Sequence, residues 1–86
     1  MSEMTSTINV LFFASLKDRV GVKQVEINIT EHTRVADLRE QLGKQFPNAS
    51  LVLQTCPAAV NRSFAFDQDT IPFGAEVAFF PRVSGG

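Results

Sequence analysis

The chain closes on Ser84-Gly85-Gly86, and these residues carry its most distinctive chemistry. Two residues without side chains can enter a channel too narrow for any Cβ, and they set a carboxylate at its end. Residues 83–86, fully extended, reach about 13–14 Å. That length threads into another protein's active site while the body stays outside. A carboxylate is a poor acyl donor. Adenylation turns it into a mixed anhydride, whose leaving group then permits attack by a nucleophile. Such a step needs an ATP site, and this chain has no Gly-rich phosphate loop. The machinery therefore has to come from a partner, with this chain as substrate or carrier.

The other reactive side chains point to less. Cys56 and His32 are the only residues of their types, no third group accompanies them, and a structural thiol is the preferred reading. Asp67 and Asp69 form a carboxylate pair without further oxygen ligands, which reads as a solvated turn rather than a metal site. One Cys excludes a disulfide framework, an iron–sulfur cluster and a cysteine-based zinc site. Eight Lys+Arg against nine Asp+Glu leave no electrostatic footprint for nucleic acid. No apolar run is long enough to span a membrane and no signal peptide is visible, so a cytoplasmic location is expected.

The 86 residues fit one domain, and a hydrophobic fraction of 44% supplies one core. Residues 1–7 read as a flexible leader, 8–82 as the domain and 83–86 as a flexible tail. Residues 8–14 (INVLFFA) form a strand and 15–20 a short helix, with Ser15 as N-cap and Gly21 as its end. Residues 23–29 alternate strictly, with Val25, Ile27 and Ile29 on the buried face. Thr33 caps an amphipathic helix in which Val35, Leu38, Leu42 and Phe46 face the core. Arg34, Arg39, Glu40 and Lys44 face water, and Pro47 stops it. Residues 49–55 are ambiguous, with a short helical turn as one reading. Residues 58–61 and 64–66 are short strands around an Asn-Arg turn, 67–74 a loop, and 76–82 the last strand. The order predicts an α+β roll: a mixed sheet with one main helix packed on one face, similar to the β-grasp or ubiquitin-like architecture. There the first and last strands lie side by side at the sheet centre.

One helix covers one face of a sheet, so the other face should be polar unless it binds something. In the first strand Ile8, Val10, Phe12 and Ala14 form the inner set, and Asn9 marks Leu11 and Phe13 as outer. In the last strand Val77, Phe79 and Pro81 are inner, and Glu76 and Arg82 mark Ala78 and Phe80 as outer. Phe64 shares the parity of Arg62 and is also outer. Leu11, Phe13, Phe64 and Phe80 then form an apolar patch rimmed by Arg62, Glu76 and Arg82, which suits a protein partner. A register slip of one residue would exchange the two faces.

Residues 10–14 (VLFFA), Val20-Gly21, residues 59–61 (AVN), residues 74–81 (GAEVAFFP) and residues 83–86 (VSGG) together resemble the MoaD/ThiS ubiquitin-like family of sulfur carriers. The resemblance is greatest to the small subunits of molybdopterin synthase and runs from residue 8 to 86. It implies a sulfur-donor subunit without a catalytic pocket of its own, in a heterotetrameric synthase. Gly86 is then adenylated by a ubiquitin-activating-like adenylyltransferase that uses ATP, and a persulfide donor converts it to a C-terminal thiocarboxylate (1-thioglycine). Gly85 gives the tail passage into the large subunit, where sulfur passes to cyclic pyranopterin monophosphate in molybdenum cofactor biosynthesis. No cofactor is bound by this chain itself. The family's docking positions fall on Phe13, Phe64 and Phe80, beside Leu11 and Arg82. Arg82 stands where the family often has a second Pro, which leaves the tail's exit freer and adds a charge. The alternatives are a carrier for thiazole synthesis or tRNA thiolation, a ubiquitin-like protein modifier, and an interaction module with an idle tail.

Overall fold

The computed structural model describes residues 4–81. Its elements are β1 (Thr5–Phe12), α1 (Ala14–Val20), β2 (Gln24–Thr30), α2 (Val35–Gln45), a 3₁₀ turn (Pro47–Ala49), α3 (Ser50–Thr55), β3 (Ala58–Val60), β4 (Ser63–Ala65) and β5 (Glu76–Phe79). The five strands form one mixed sheet in the order β2-β1-β5-β3-β4. β1 and β5 pair in parallel, and every other pair is antiparallel. This is the α+β β-grasp fold, with the C-terminal strand at the centre of the sheet.

Strand periodicity sets the layers. Ile8, Val10 and Phe12 of β1, Ile27 and Ile29 of β2, and Val77 and Phe79 of β5 all point inward and are buried. Val35, Leu38 and Leu42 of α2 and Leu53 of α3 close over them. Burying each large side chain contributes about 1.5–3 kcal/mol, and no polar side chain lies in this core among the described residues. Phe46 meets Phe12 edge-on, with ring centroids 5.7 Å apart.

Several boundaries differ from the sequence reading, each for a local reason. β1 begins at Thr5, inside the expected leader, because Thr5, Ser6 and Thr7 pair with Thr30, Ile29 and Asn28. Polar residues suffice there, since the outer end of a hairpin needs only backbone partners. α1 is not capped by Ser15. The N-cap is Phe13, whose carbonyl accepts from the Leu16 and Lys17 amides, and Ala14 opens the helix at φ 53°. Gly21 ends the helix as expected, at φ 87°, donating its N–H to the Lys17 carbonyl at 2.9 Å.

Thr33 likewise does not cap α2. Its hydroxyl accepts the Thr30 N–H at 3.0 Å and closes the preceding turn. Arg34 is the N-cap, and its N–H donates to the Asp37 carboxylate at 3.0 Å. The Val35 and Ala36 amides donate to the carbonyls of Asp69 and Asp67. The β4–β5 loop thus satisfies helix donors that would otherwise lack partners. The ambiguous segment resolves into the 3₁₀ turn opened by Pro47, followed by α3.

Arg39 is the main departure. Helical spacing placed it on the water face, yet its side chain is only 11% exposed. Its guanidinium donates to the carbonyls of Leu53 at 2.8 Å and Cys56 at 2.7 Å, and to the Asp67 carboxylate at 2.8 Å. It also lies over the Phe79 ring, 5.4 Å from the centroid. Because α3 packs beside α2, a position on the flank of the helix meets a helix C-terminus, where a cation is favoured.

Candidate functional site

The uncovered face of the sheet is built by cross-strand register. Gln24, Leu11, Ala78, Ala59 and Phe64 form one row across all five strands. Beyond it, toward the C-terminal end of β5, lie Phe13 and Phe80. The Phe13 amide donates to the Phe79 carbonyl and the Phe80 amide to the Pro57 carbonyl, each at 3.3 Å. Phe13 is 48% exposed and Phe64 75%, while Leu11 and Phe80 are partly buried. The rings of Phe64 and Phe80 lie 6.0 Å apart at 58°. Strand parity thus placed these four side chains on one face, with Ala59 and Ala78 as its flat floor. Sequence reasoning left out Phe66, which shares the parity of Phe64 and is also exposed. The spacing of two between them was the available signal.

Two local devices hold this surface. Asn61 and Arg62 form the two-residue β3–β4 turn at φ 50° and 71°, the doubly left-handed geometry that matches strand twist. Asn61 also ties the turn to β5: its amide donates to the Glu76 carbonyl at 2.8 Å, and its side-chain oxygen accepts the Glu76 amide at 3.0 Å. At the other end β5 stops at Phe79, short of residue 82. The Phe80 amide has turned to Pro57, and Pro81 has no N–H with which to continue a ladder. Arg82, Gly85 and Gly86 lie outside the described residues, as do residues 1–3 of the leader.

The remaining reactive groups fall elsewhere. Cys56 is buried after α3, and burial pushes its thiol above the usual range, against the opposing pull of the Arg39 guanidinium. His32 is exposed in the turn before α2 beside Glu31. Asp67 pairs with Arg39, and the Asp69 carboxylate accepts the Phe66 amide at 2.8 Å, so both stabilise the loop. No three His, Cys, Asp or Glu side chains gather into a metal site among the described residues. A depression of about 480 Å³ lies on the helical side around Arg39, Gly43 and Ser50, away from the apolar face. No described helix is long and apolar enough to cross a membrane.

The chain matches the ThiS family model over residues 10–86. It is 36% identical to the molybdopterin synthase sulfur carrier subunit of Escherichia coli K12, over 92% of this chain and 99% of that one. The fold is shared with SAMP1 of Haloferax volcanii, at TM-score 0.83 and 25% identity, covering 94% of this chain and all of that one. It is also shared with a protein–protein complex of subunits 1 and 2 of molybdopterin-converting factor from Helicobacter pylori. There the TM-score is 0.65 at 20% identity, over 93% of this chain and 99% of the matched one. Family model, relative and fold agree along nearly the whole sequence: the chain belongs to the ThiS family.

Proposed function

We propose that this protein is the sulfur-carrier subunit of a molybdopterin synthase. The observation that carries it is the coupling of two features. An apolar face of Phe13, Phe64 and Phe80 surrounds the end of β5, and the sequence beyond that strand ends in Gly85-Gly86. Curated relatives named as molybdopterin synthase sulfur carrier subunits support the assignment. The chain contributes docking area and a slender acyl group, and the catalytic pocket belongs to the large subunit. A ubiquitin-activating-like adenylyltransferase uses ATP to activate the Gly86 carboxylate. A persulfide donor then supplies sulfur, and the resulting thiocarboxylate is the group presented to cyclic pyranopterin monophosphate. The setting is cytoplasmic.

The test is to incubate the protein with the activating enzyme, ATP and a sulfur donor, and to analyse the fragment released by cleavage after Arg82. That fragment holds neither Met nor Cys, so exchange of oxygen for sulfur is not confused with oxidation. A sulfur-dependent mass gain is expected, and Gly85→Val is expected to abolish transfer to the pterin precursor without unfolding the domain. An unmodified fragment, where a known carrier is loaded, would refute the assignment. The likeness to SAMP1 favours a second reading as a protein modifier. In that case Gly86 would appear in isopeptide bonds to lysines of higher-mass conjugates.

A further inference from the structure

We propose that the depression beside Phe13 is a specificity subsite of the docking face. It takes an apolar side chain flanked by a carboxylate from the large synthase subunit. The proposal rests on the docking role given to this face above. The depression measures about 360 Å³ and is lined by Leu11, Phe13 and Ala14 against Lys17, Lys23 and Gln24. Its walls hold two cations and no acidic group. Both lysines are set by the turn that ends α1. The Lys17 carbonyl accepts the Gly21 amide, and the Lys23 carbonyl accepts the Phe12 amide, each at 2.9 Å. Neither lysine has an ion-pair partner among the described residues. Asp18 lines a separate depression around Gly21 and Val22, which the two lysines also border.

The opposite end of the same face has a different charge. Glu26, Asn9 and Glu76 form one cross-strand row, with Arg62 in the adjoining turn. The face is therefore bordered by two lysines beside Phe13 and by two carboxylates and Arg62 at the far end, with the apolar rows between. A partner that seats an apolar side chain on Leu11 and Phe13, with a carboxylate next to it, gains attraction to both ammonium groups. The same partner turned end for end would set that carboxylate against Glu26 and Glu76. The subsite thus selects the partner's orientation as well as its identity.

The test is calorimetric titration of the full chain with the purified large subunit of the same organism, at about 50 mM and about 500 mM salt. Lys17→Glu and Lys23→Glu are each expected to raise Kd about tenfold at low salt, with most of the deficit lost at high salt. Both residues are exposed, so their urea midpoints should match that of the parent. Lys44→Glu makes the same change in net charge on α2, on the other side of the sheet, and should shift Kd less than about twofold. If Lys17→Glu and Lys23→Glu do no more than Lys44→Glu, the subsite is refuted; a large loss in Phe64→Ala within that series would leave the docking face standing. If Phe13→Ala and Phe64→Ala are also neutral, the docking face falls and the subsite with it. Loss of affinity for the activating enzyme alone, with the large subunit unaffected, also overturns the proposal.

Discussion

Removing the Arg39 guanidinium should cost far more than its ion pair with Asp67 suggests. Its Nη1 donates to both the Leu53 and Cys56 carbonyls at the end of α3, and the side chain is almost fully enclosed. Charge-assisted hydrogen bonds of this kind contribute about 1.5–3 kcal/mol each. Asp67, in contrast, is 61% exposed, so its pairing adds about 1 kcal/mol or less. Water will reach the freed carbonyls in part, which lowers the sum, and Arg39→Ala is expected to lose about 3–4 kcal/mol. A domain of this length has a total stability of about 4–13 kcal/mol. With a urea slope of about 1–1.5 kcal/mol/M, the midpoint should fall by about 2–4 M. Arg39→Lys keeps the charge, but a single ammonium cannot occupy the positions of both Nη1 and Nε, so it should fall in between. Asp67→Asn should shift the midpoint by about 1 M or less. A loss below about 1 kcal/mol in Arg39→Ala, or an equal loss in Asp67→Asn, would refute the view that the two carbonyls dominate.

Other expected outcomes concern single residues. Ala14→Gly should be neutral or stabilising by up to about 1 kcal/mol, because relief at φ 53° outweighs the added chain entropy; destabilisation in urea titration would contradict this. Asn61→Ala should cost about 1–2 kcal/mol by losing the bond to the Glu76 amide and straining a left-handed position, while Asn61→Gly should cost less. Cys56 adds a pH dependence whose sign follows from burial. The folded thiol titrates above its ordinary value of 9.0, so the unfolded chain loses its proton first and stability falls as pH rises past about 9. Cys56→Ala should remove that decline; an unchanged slope between about pH 8 and 10.5 would show that other groups cause it.

The sheet and its faces were legible in the sequence because alternation is a local signal. Val25, Ile27 and Ile29 declare one side of β2, and a single Asn9 or Glu76 assigns the sides of β1 and β5. The same arithmetic, with the first and last strands expected side by side, placed Phe13, Phe64 and Phe80 on one face. Less was legible where partners are distant in sequence. Arg39 looks like a solvent residue until α3 packs beside α2 and offers its carbonyls. Thr33 has the ideal chemistry for a helix cap, yet the turn before α2 claims its hydroxyl and leaves Asp37 to bond the Arg34 amide. Ser15 failed as a cap because the Phe13 carbonyl already starts α1. The lysines beside Phe13 belong to a helix and a strand end whose meeting depends on the left-handed turn at Gly21.

The parallel seam between β1 and β5 joins almost the two ends of the described chain: Asn9 faces Glu76, and Phe12 faces Phe79. Pairing across so long a stretch of chain carries a high loop-closure cost and slows folding. Among the described strands, β5 alone bridges β1 to β3. A polypeptide released from the ribosome before residue 79 would hold two unconnected hairpins, with Leu11 on one and Phe64 on the other. The uncovered apolar face therefore assembles only when translation has gone nearly to completion. Under the role proposed above, a chain that stops short of β5 lacks both the assembled docking face and the terminal glycine, so the two features arrive together at the end of synthesis.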